Sequence, residues 1–308
     1  MSKSTITIVT RKSPLALWQA ELVQQQLTSC YPGLKVEILG KTTEGDKILN
    51  KSLAGIGGKD LFVKDLQQTL LNKEADIAVH SIKDMSVKKN SGLLLAAFCR
   101  REDPRDVFVS NSYENLDALP DNATIGTSSP RRQCQLNATK SHLAIKPIRG
   151  NVGTRLEKLA SGEFDAIILA AAGLLRLSHE NKIREYLDPE AFIPAIGQGA
   201  IGIECHADDI HMIELLEKLD HHPTRICITA ERAVNRRLNG DCFTPLAAHA
   251  VLHDNNTLHL IAMVGSVDGK HIIRNEIEGP ANQAEALGLE LGDRLLDQGA
   301  GEFLDSSS

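Results

Sequence analysis

The feature that most narrows the fold of this chain is an alternation: short β-branched runs and helix-forming segments follow one another at the spacing of strand–helix–strand units. Thr5–Val9 is the first such run. After Arg11 and Lys12, an amphipathic pattern predicts a helix over about 15–27. Ser13 suits its N-cap, and Pro14 suits its first position because the missing N–H would have no partner there anyway. A strand is predicted near 34–39, a helix from Asp60 to about Lys73, and a buried strand from Asp76 to His80. Between them, Ala54-Gly55-Ile56-Gly57-Gly58-Lys59 is glycine-rich and is expected to form a cover loop. This order implies mostly parallel strand pairing.

The polar string Arg100-Arg101-Glu102-Asp103-Pro104-Arg105 interrupts the pattern as a hinge would. A second α/β run then predicts strands near 106–109 and 123–126, a helix from Pro130, a strand ending at Arg149, a helix over 152–161 and a strand over 165–170. Pro194–Gly199 is a second break, and Ala200–Cys205 reads as a strand crossing back to the first sheet. Two lobes joined by two crossings would leave a ligand cleft between them. From His221 onward the style changes. A helix over about 223–238 stops at Asn239-Gly240, and three strand-like runs follow near 247–252, 258–264 and 271–276. Asp268-Gly269 turns between the last two, and a helix over about 283–296 closes the chain. The expected architecture is α/β: a first lobe of residues 1–100 with 198–219, a second of 101–197, both with mixed sheets, and a small C-terminal α+β domain of 220–308.

Composition removes some functions. The formal net charge of −6 and an aromatic content of only 4% disfavour a nucleic-acid binder. The longest apolar stretch, around Ala166–Leu175, is too short to span a membrane. The opening residues lack the apolar core of a secretory signal, and no CxxC pair occurs among the six cysteines. A cytoplasmic protein with reduced thiols is the expectation.

Polar residues collect where strands give way to helices. Thr127-Ser128-Ser129-Pro130-Arg131-Arg132 joins hydroxyls, free N–H groups of a helix start and two guanidiniums, an arrangement that suits anions. Arg149-Gly150-Asn151-Val152-Gly153-Thr154-Arg155 repeats it one unit later, and Arg176 follows the next strand. A single arginine is usually solvated surface charge, but ligands of α/β sheets bind at the C-terminal strand ends where these cluster. The implied ligand carries several carboxylates or phosphates. Asp84, in His80-Ser81-Ile82-Lys83-Asp84, is either a loop Asx turn or a general acid/base. Cys242, in Asn239-Gly240-Asp241-Cys242, sits in a turn, a poor place to bury a thiol, and so suits tethering better than Cys99 or Cys205 in their strand patterns.

The strings TRKSPLALWQA, GGKDLFVKDL, ADIAVHSIKD, REDPRD, IGTSSPRRQCQL, RGNVGTRLEKL, DAIILAAAGLLRL and PAIGQGAIGIEC, with the region around NGDC, resemble porphobilinogen deaminases in order from about residue 5 to 300. The resemblance implies three domains, the first two like the lobes of periplasmic binding proteins. It implies a dipyrromethane cofactor joined to Cys242 by a thioether, on which four porphobilinogens condense with loss of ammonia, through electrophilic azafulvenes, to give hydroxymethylbilane. In the match Asp84 faces pyrrole N–H groups and stabilises cationic intermediates. Arg11, Lys83, Arg131, Arg132, Arg149, Arg155 and Arg176 would hold acetates and propionates, with hydrogen bonds from Ser13, Ser81, Thr127, Ser128, Ser129, Gly150 and Gln198. The partners expected are porphobilinogen and the growing chain, without nucleic acid or membrane, and the expected state is a monomer.

Four positions depart from the family pattern: Glu44 in place of Lys or Arg, Gly55 in place of a common Lys, Ser86 for Pro and Pro130 for Leu. Glu44 and Gly55 lower the positive charge of the glycine-rich segment. A rival from another class is a non-catalytic anion binder on the same two lobes, which would have no use for a third domain with an exposed cysteine.

Overall fold

The computed structural model describes residues 5–43, 60–87, 90–240 and 243–304. Along the chain the elements run β1 (Thr5–Arg11), α1 (Pro14–Cys30), β2 (Lys35–Lys41), α2 (Asp60–Leu71), β3 (Ile77–Ser81), a single 3-10 turn (Ile82–Asp84) and β4 (Leu93–Phe98). There follow β5 (Asp106–Ser110), β6 (Thr124–Gly126), α3 (Pro130–Thr139), β7 (Ala144–Lys146), α4 (Val152–Ala160), β8 (Ala166–Ala170), α5 (Ala171–Arg176) and β9 (Glu185–Tyr186). The chain continues through β10 (Ile201–His206), α6 (Ile210–Glu217), α7 (His222–Leu238), β11 (Leu246–Leu252), β12 (Thr257–Gly265), β13 (Ile272–Pro280) and α8 (Ala284–Asp297). The chain divides into two compact units, 1–102 with 200–225 and 103–199 with 226–308.

The first unit is built on a five-stranded sheet in the order β2-β1-β3-β10-β4. The β1 strand pairs in parallel with β2 and β3, while β10 runs antiparallel to both β3 and β4. The returning strand predicted at Ala200–Cys205 therefore lies inside this sheet, and the pairing is mixed. The caps behave as expected: Ser13 Oγ accepts from Ala16 N–H, and Pro14 occupies the first turn. Spaced at helical period, Ala16, Ala20, Val23 and Leu27 turn inward, and the last three join Ile6, Ile8, Ile77, Val79 and Ile203. Val9, Leu66, Leu70 and Ala78 fill the opposite face. Because both faces are covered, the central strands read as continuous apolar runs.

In the second unit, one sheet has the order β7-β6-β8-β5-β9. Here β6 pairs in parallel with β7 and β8, and β5 enters antiparallel to β8, with Asp106 opposite Ala170. The predicted strand ending at Arg149 stops at Lys146, which leaves Pro147–Gly150 as a connection without regular structure. The third sheet is an antiparallel meander, β11-β12-β13. Its inner face packs Leu258, Leu260 and Ala262 against Ala230 and Val234 of α7 and Leu291 and Leu295 of α8. Gly269, with φ of 71°, makes the expected turn, and a Cβ there would lie 2.4 Å from the backbone N of Ala138. A shared cluster of Cys134, Ile193, Ala247, Ile261 and Met263 joins this sheet to α3.

Candidate active site

The parallel register of β1 and β3 brings their C-terminal ends together. Arg11 ends β1, and Ser13 is committed to capping α1. Ser81 ends β3 with its hydroxyl 2.9 and 3.1 Å from the Gln19 amide nitrogen and oxygen. Lys83 and Asp84 then fall in the 3-10 turn, where Met85 N–H bonds back to Ile82 O at 3.0 Å. Asp84 is half-buried, and its carboxylate makes no hydrogen bond or ion pair with any described residue.

The second unit carries the larger polar set, again at the C-terminal strand ends. Thr127 is buried, and its Oγ1 accepts from Ser129 N–H at 3.2 Å. Ser128 donates to Ile148 O at 2.9 Å, and Ser129 caps α3 by accepting from Arg132 N–H. The side chains of Arg131 and Arg132 turn onto Asp106, a fully buried carboxylate that closes the REDPRD string but received no role from the sequence. Arg131 Nη1 donates to Asp106 Oδ2 at 2.7 Å and to Ile193 O at 2.7 Å. Arg132 reaches Asp106 Oδ1 through Nε at 3.0 Å and Nη2 at 2.6 Å, and Ile168 O through Nη1 at 2.8 Å. Gln198 adds its amide N–H to Asp106 Oδ1 at 3.0 Å and to Pro104 O at 2.6 Å. Topology explains the meeting: β5 runs against its neighbours, so its first residue lies where β6 and β8 end. Burial alone would raise the Asp106 pKa; the two guanidiniums outweigh it and hold the carboxyl well below its usual range.

One strand further, Gly150 takes a φ of 112°, a conformation that favours glycine, and its carbonyl accepts from Arg155 Nε at 2.8 Å. Asn151 caps α4 through Thr154 N–H at 3.0 Å. Arg149 is half-buried and meets no hydrogen-bond or ion-pair partner among the described residues. Arg176, at the end of α5, donates to Gly199 O at 2.7 Å. Glu231, buried on α7, accepts from Gly197 N–H at 2.7 Å and Ala250 N–H at 2.9 Å, anchoring the Pro194–Gly199 break. Cys242, Glu44 and the Ala54–Lys59 segment lie outside the described residues.

A dipyrromethane brings several carboxylates and two pyrrole N–H groups, so its cradle needs cations that are not already neutralised and an acceptor for N–H. Taken separately, the second unit offers such a cation in Arg149 and the first unit such an acceptor in Asp84. Arg131 Nε is in addition buried without an acceptor. The residues fit the cofactor.

A family model described as "Porphobilinogen deaminase, dipyromethane cofactor binding domain" matches residues 6–214, and one described as "Porphobilinogen deaminase, C-terminal domain" matches residues 225–297. The chain belongs to the porphobilinogen deaminase family. Porphobilinogen deaminases of two Coxiella burnetii strains, Dugway 5J108-111 and CbuK_Q154, are each 57% identical to it over 304 residues, covering 99% of this chain and 98% of the relative. Porphobilinogen deaminases polymerise porphobilinogen into hydroxymethylbilane in tetrapyrrole biosynthesis (EC 2.5.1.61), on a dipyrromethane cofactor, and this is the reaction of this chain. Among solved structures, a putative methionine-binding lipoprotein of Bacillus subtilis has a TM-score of 0.45 at 16% identity, over 71% of this chain and 91% of that one. The periplasmic VFT2 domain of Bordetella pertussis BvgS has a TM-score of 0.42 at 18% identity, over 70% of this chain and 86% of that one. Both likenesses are loose. Among the described residues no helix is long and apolar enough to cross a membrane.

Proposed function

We propose that this deaminase builds its product on a primer tethered to Cys242, with Asp84 as the carboxylate at the reacting pyrroles and the arginines as carboxylate receptors. The observation that carries this reading is Asp84 itself: half-buried, at the C-terminal end of β3, with no described donor. A carboxylate placed so is available to accept pyrrole N–H groups and to oppose the positive charge that develops as ammonia leaves. When bound, the dipyrromethane supplies the nucleophilic pyrrole carbon and carboxylates by which it is held. Arg149 offers an unspent guanidinium for one such carboxylate, with Arg11, Lys83, Arg155 and Arg176 as further cations. Arg131, Arg132 and Gln198 contribute through the groups they leave over from Asp106. Ser81, Thr127, Ser128 and Ser129 line the strand ends with hydroxyls.

The described cysteines support Cys242 as the tether. Cys99, Cys134, Cys205 and Cys227 are buried. Burial pushes the thiols of Cys134 and Cys205 up to about 11 and about 12, far from a reactive thiolate. The same reading includes a monomer in the cytoplasm that binds no nucleic acid; the five described cysteines are free thiols, as a reducing compartment allows. It also divides the chain as 1–100 with 198–219, 101–197 and 220–308, supported by three separate sheets.

The test is a pair of substitutions. Asp84→Asn keeps size and removes charge and proton acceptor, and should lower turnover about 10²–10³-fold with an unchanged melting temperature; Asp84→Glu should fall between. Comparable turnover in the Asn variant and wild type would end the catalytic role of Asp84. By intact mass, Cys242→Ser should lose the dipyrrole adduct while Cys30→Ser keeps it; an adduct retained on Cys242→Ser would move the tether elsewhere.

A further inference from the structure

A second polar system lies behind the Asp84 turn, none of it among the residues proposed to touch substrate. His80 and Glu204 are both nearly inaccessible, each 4% exposed, and stand on adjacent strands β3 and β10. Glu204 pairs directly with Ala78, which makes His80 its diagonal neighbour on the same face of the sheet. His80 Nε2 lies 3.1 Å from Glu204 Oε2. Whichever of the two holds the shared proton, one hydrogen bond is made. The other carboxylate oxygen, Oε1, accepts from the Gln67 amide of α2 at 2.9 Å. Gln67 Oε1 in turn accepts from Asn90 Nδ2 at 3.1 Å. The path therefore starts two residues before Ile82 and ends six residues after Asp84, bracketing the turn from both sides.

The turn is also seated on β10. Gly202 faces His80 across the ladder, and a Cβ on it would lie 2.3 Å from Ile82 Cδ1, so the Ile82 side chain occupies the space a larger residue would take. Ile82 N–H donates to Ala200 O at 3.0 Å. A buried ion pair or polar chain of this kind rarely adds stability over well-packed apolar residues of the same volume. What it adds is a defined geometry, because each member has one arrangement that satisfies its partners.

We propose that His80, Glu204, Gln67 and Asn90 form a positioning relay that holds the Ile82–Lys83–Asp84 turn in its working geometry. The proposal rests on Asp84 as the group at the reacting pyrroles. A displacement of a reacting group by about 1 Å can cost about a hundredfold in rate, so a loosened relay should lower kcat while leaving KM near its wild-type value.

The experiment compares Glu204→Gln, Glu204→Met and Asn90→Ala in the full-length holoenzyme, with kcat expressed per folded, cofactor-bearing molecule. Glu204→Gln keeps an acceptor for Gln67 and a hydrogen-bonding group for His80, and should stay within about threefold of wild type. Glu204→Met fills the volume without hydrogen bonds, and should lose about tenfold to a hundredfold in kcat with KM unchanged. Asn90→Ala removes only the outer member, is the variant surest to fold, and should lose about threefold. Amide exchange of Ile82 and Met85 should quicken in the same order. Wild-type kcat and exchange in both Glu204→Met and Asn90→Ala would overturn the relay, as would equal kcat losses in Glu204→Gln and Glu204→Met. Quickened exchange in Glu204→Met beside a fully active Asp84→Asn enzyme would keep the relay as the turn's support and remove only the catalytic reading of Asp84.

Discussion

Arg131 and Arg132 follow β6 and Arg149 follows β7, at one end of one sheet, yet they are treated differently. The first two are buried on Asp106, and they donate also to Ile193 O and Ile168 O, while Arg131 Nε is left without an acceptor. Arg149 is half-buried and meets no described partner. Two guanidiniums sharing one carboxylate leave an excess of positive charge fixed in place, with side chains that have little freedom left to lose when an anion arrives. A guanidinium without a partner keeps its whole hydrogen-bonding capacity for a ligand. The same residue type is thus spent on the framework in one case and, under the proposed function, left for a ligand in the other, and the two should fail in different ways when substituted.

Removing Asp106 should have the largest effect on stability. Asp106→Ala leaves two buried cations and the Gln198 amide without their acceptor, at a cost of about 3–5 kcal/mol and a fall in melting temperature on the order of 10 °C. Acid should act on the same group. Its folded pKa is depressed, so the stabilisation it provides is complete above about pH 4, the unfolded value, and is lost as the pH falls from there toward the folded value. The gap in melting temperature between wild type and Asp106→Ala should therefore be narrower at pH 3 than at pH 7. Parallel losses in the two proteins would show that another carboxylate governs acid unfolding.

The next effect separates the arginines. Arg149→Gln should lower turnover by about tenfold or more with an unchanged melting temperature, as expected for a lost charge-assisted contact of about 1.5–3 kcal/mol. Arg132→Lys should do the reverse in stability, losing the forked contact to Asp106 and melting earlier whatever its activity. If Arg149→Gln melts early and stays active, Arg149 belongs to the framework and the contrast disappears. The smallest effect concerns the cap beneath Arg149. Asn151→Ala should cost about 1 kcal/mol of stability, visible in a urea titration, with a lesser effect on turnover than Arg149→Gln. An equal or larger loss of turnover would mean that the start of α4, and not Arg149, governs the contact.

Much of this was legible in the residues. Ser13-Pro14 and Ser129-Pro130 mark two helix starts because capping and proline preferences act within one turn of chain. The β-branched runs located most strands of all three sheets for the same local reason. β4 was legible only as the strand pattern around Cys99 and not as a bounded element, since Leu93–Phe98 is an apolar run without alternation whose ladder partner among the described residues is β10. α6 was also missed, although Asp209 caps it through Met212 N–H and was a signal to be had. Asp106 stayed hidden because its importance depends on β5 running antiparallel, a long-range property of the sheet. His80 and Glu204 meet for a like reason, 124 residues apart in sequence.

The placement of β10 between β3 and β4 bears on how the chain is made. During synthesis, β1 to β4 emerge first, but β4 has nowhere to dock until residues 201–206 follow, after all of 103–199. In that interval β3 and β4 each carry an unpaired apolar edge, the kind of surface on which nascent chains pair with one another. The first unit is thus the first to begin translation yet cannot close until residue 206 is made, and a ribosome stalled before residue 201 would display a sheet lacking the strand that belongs between β3 and β4.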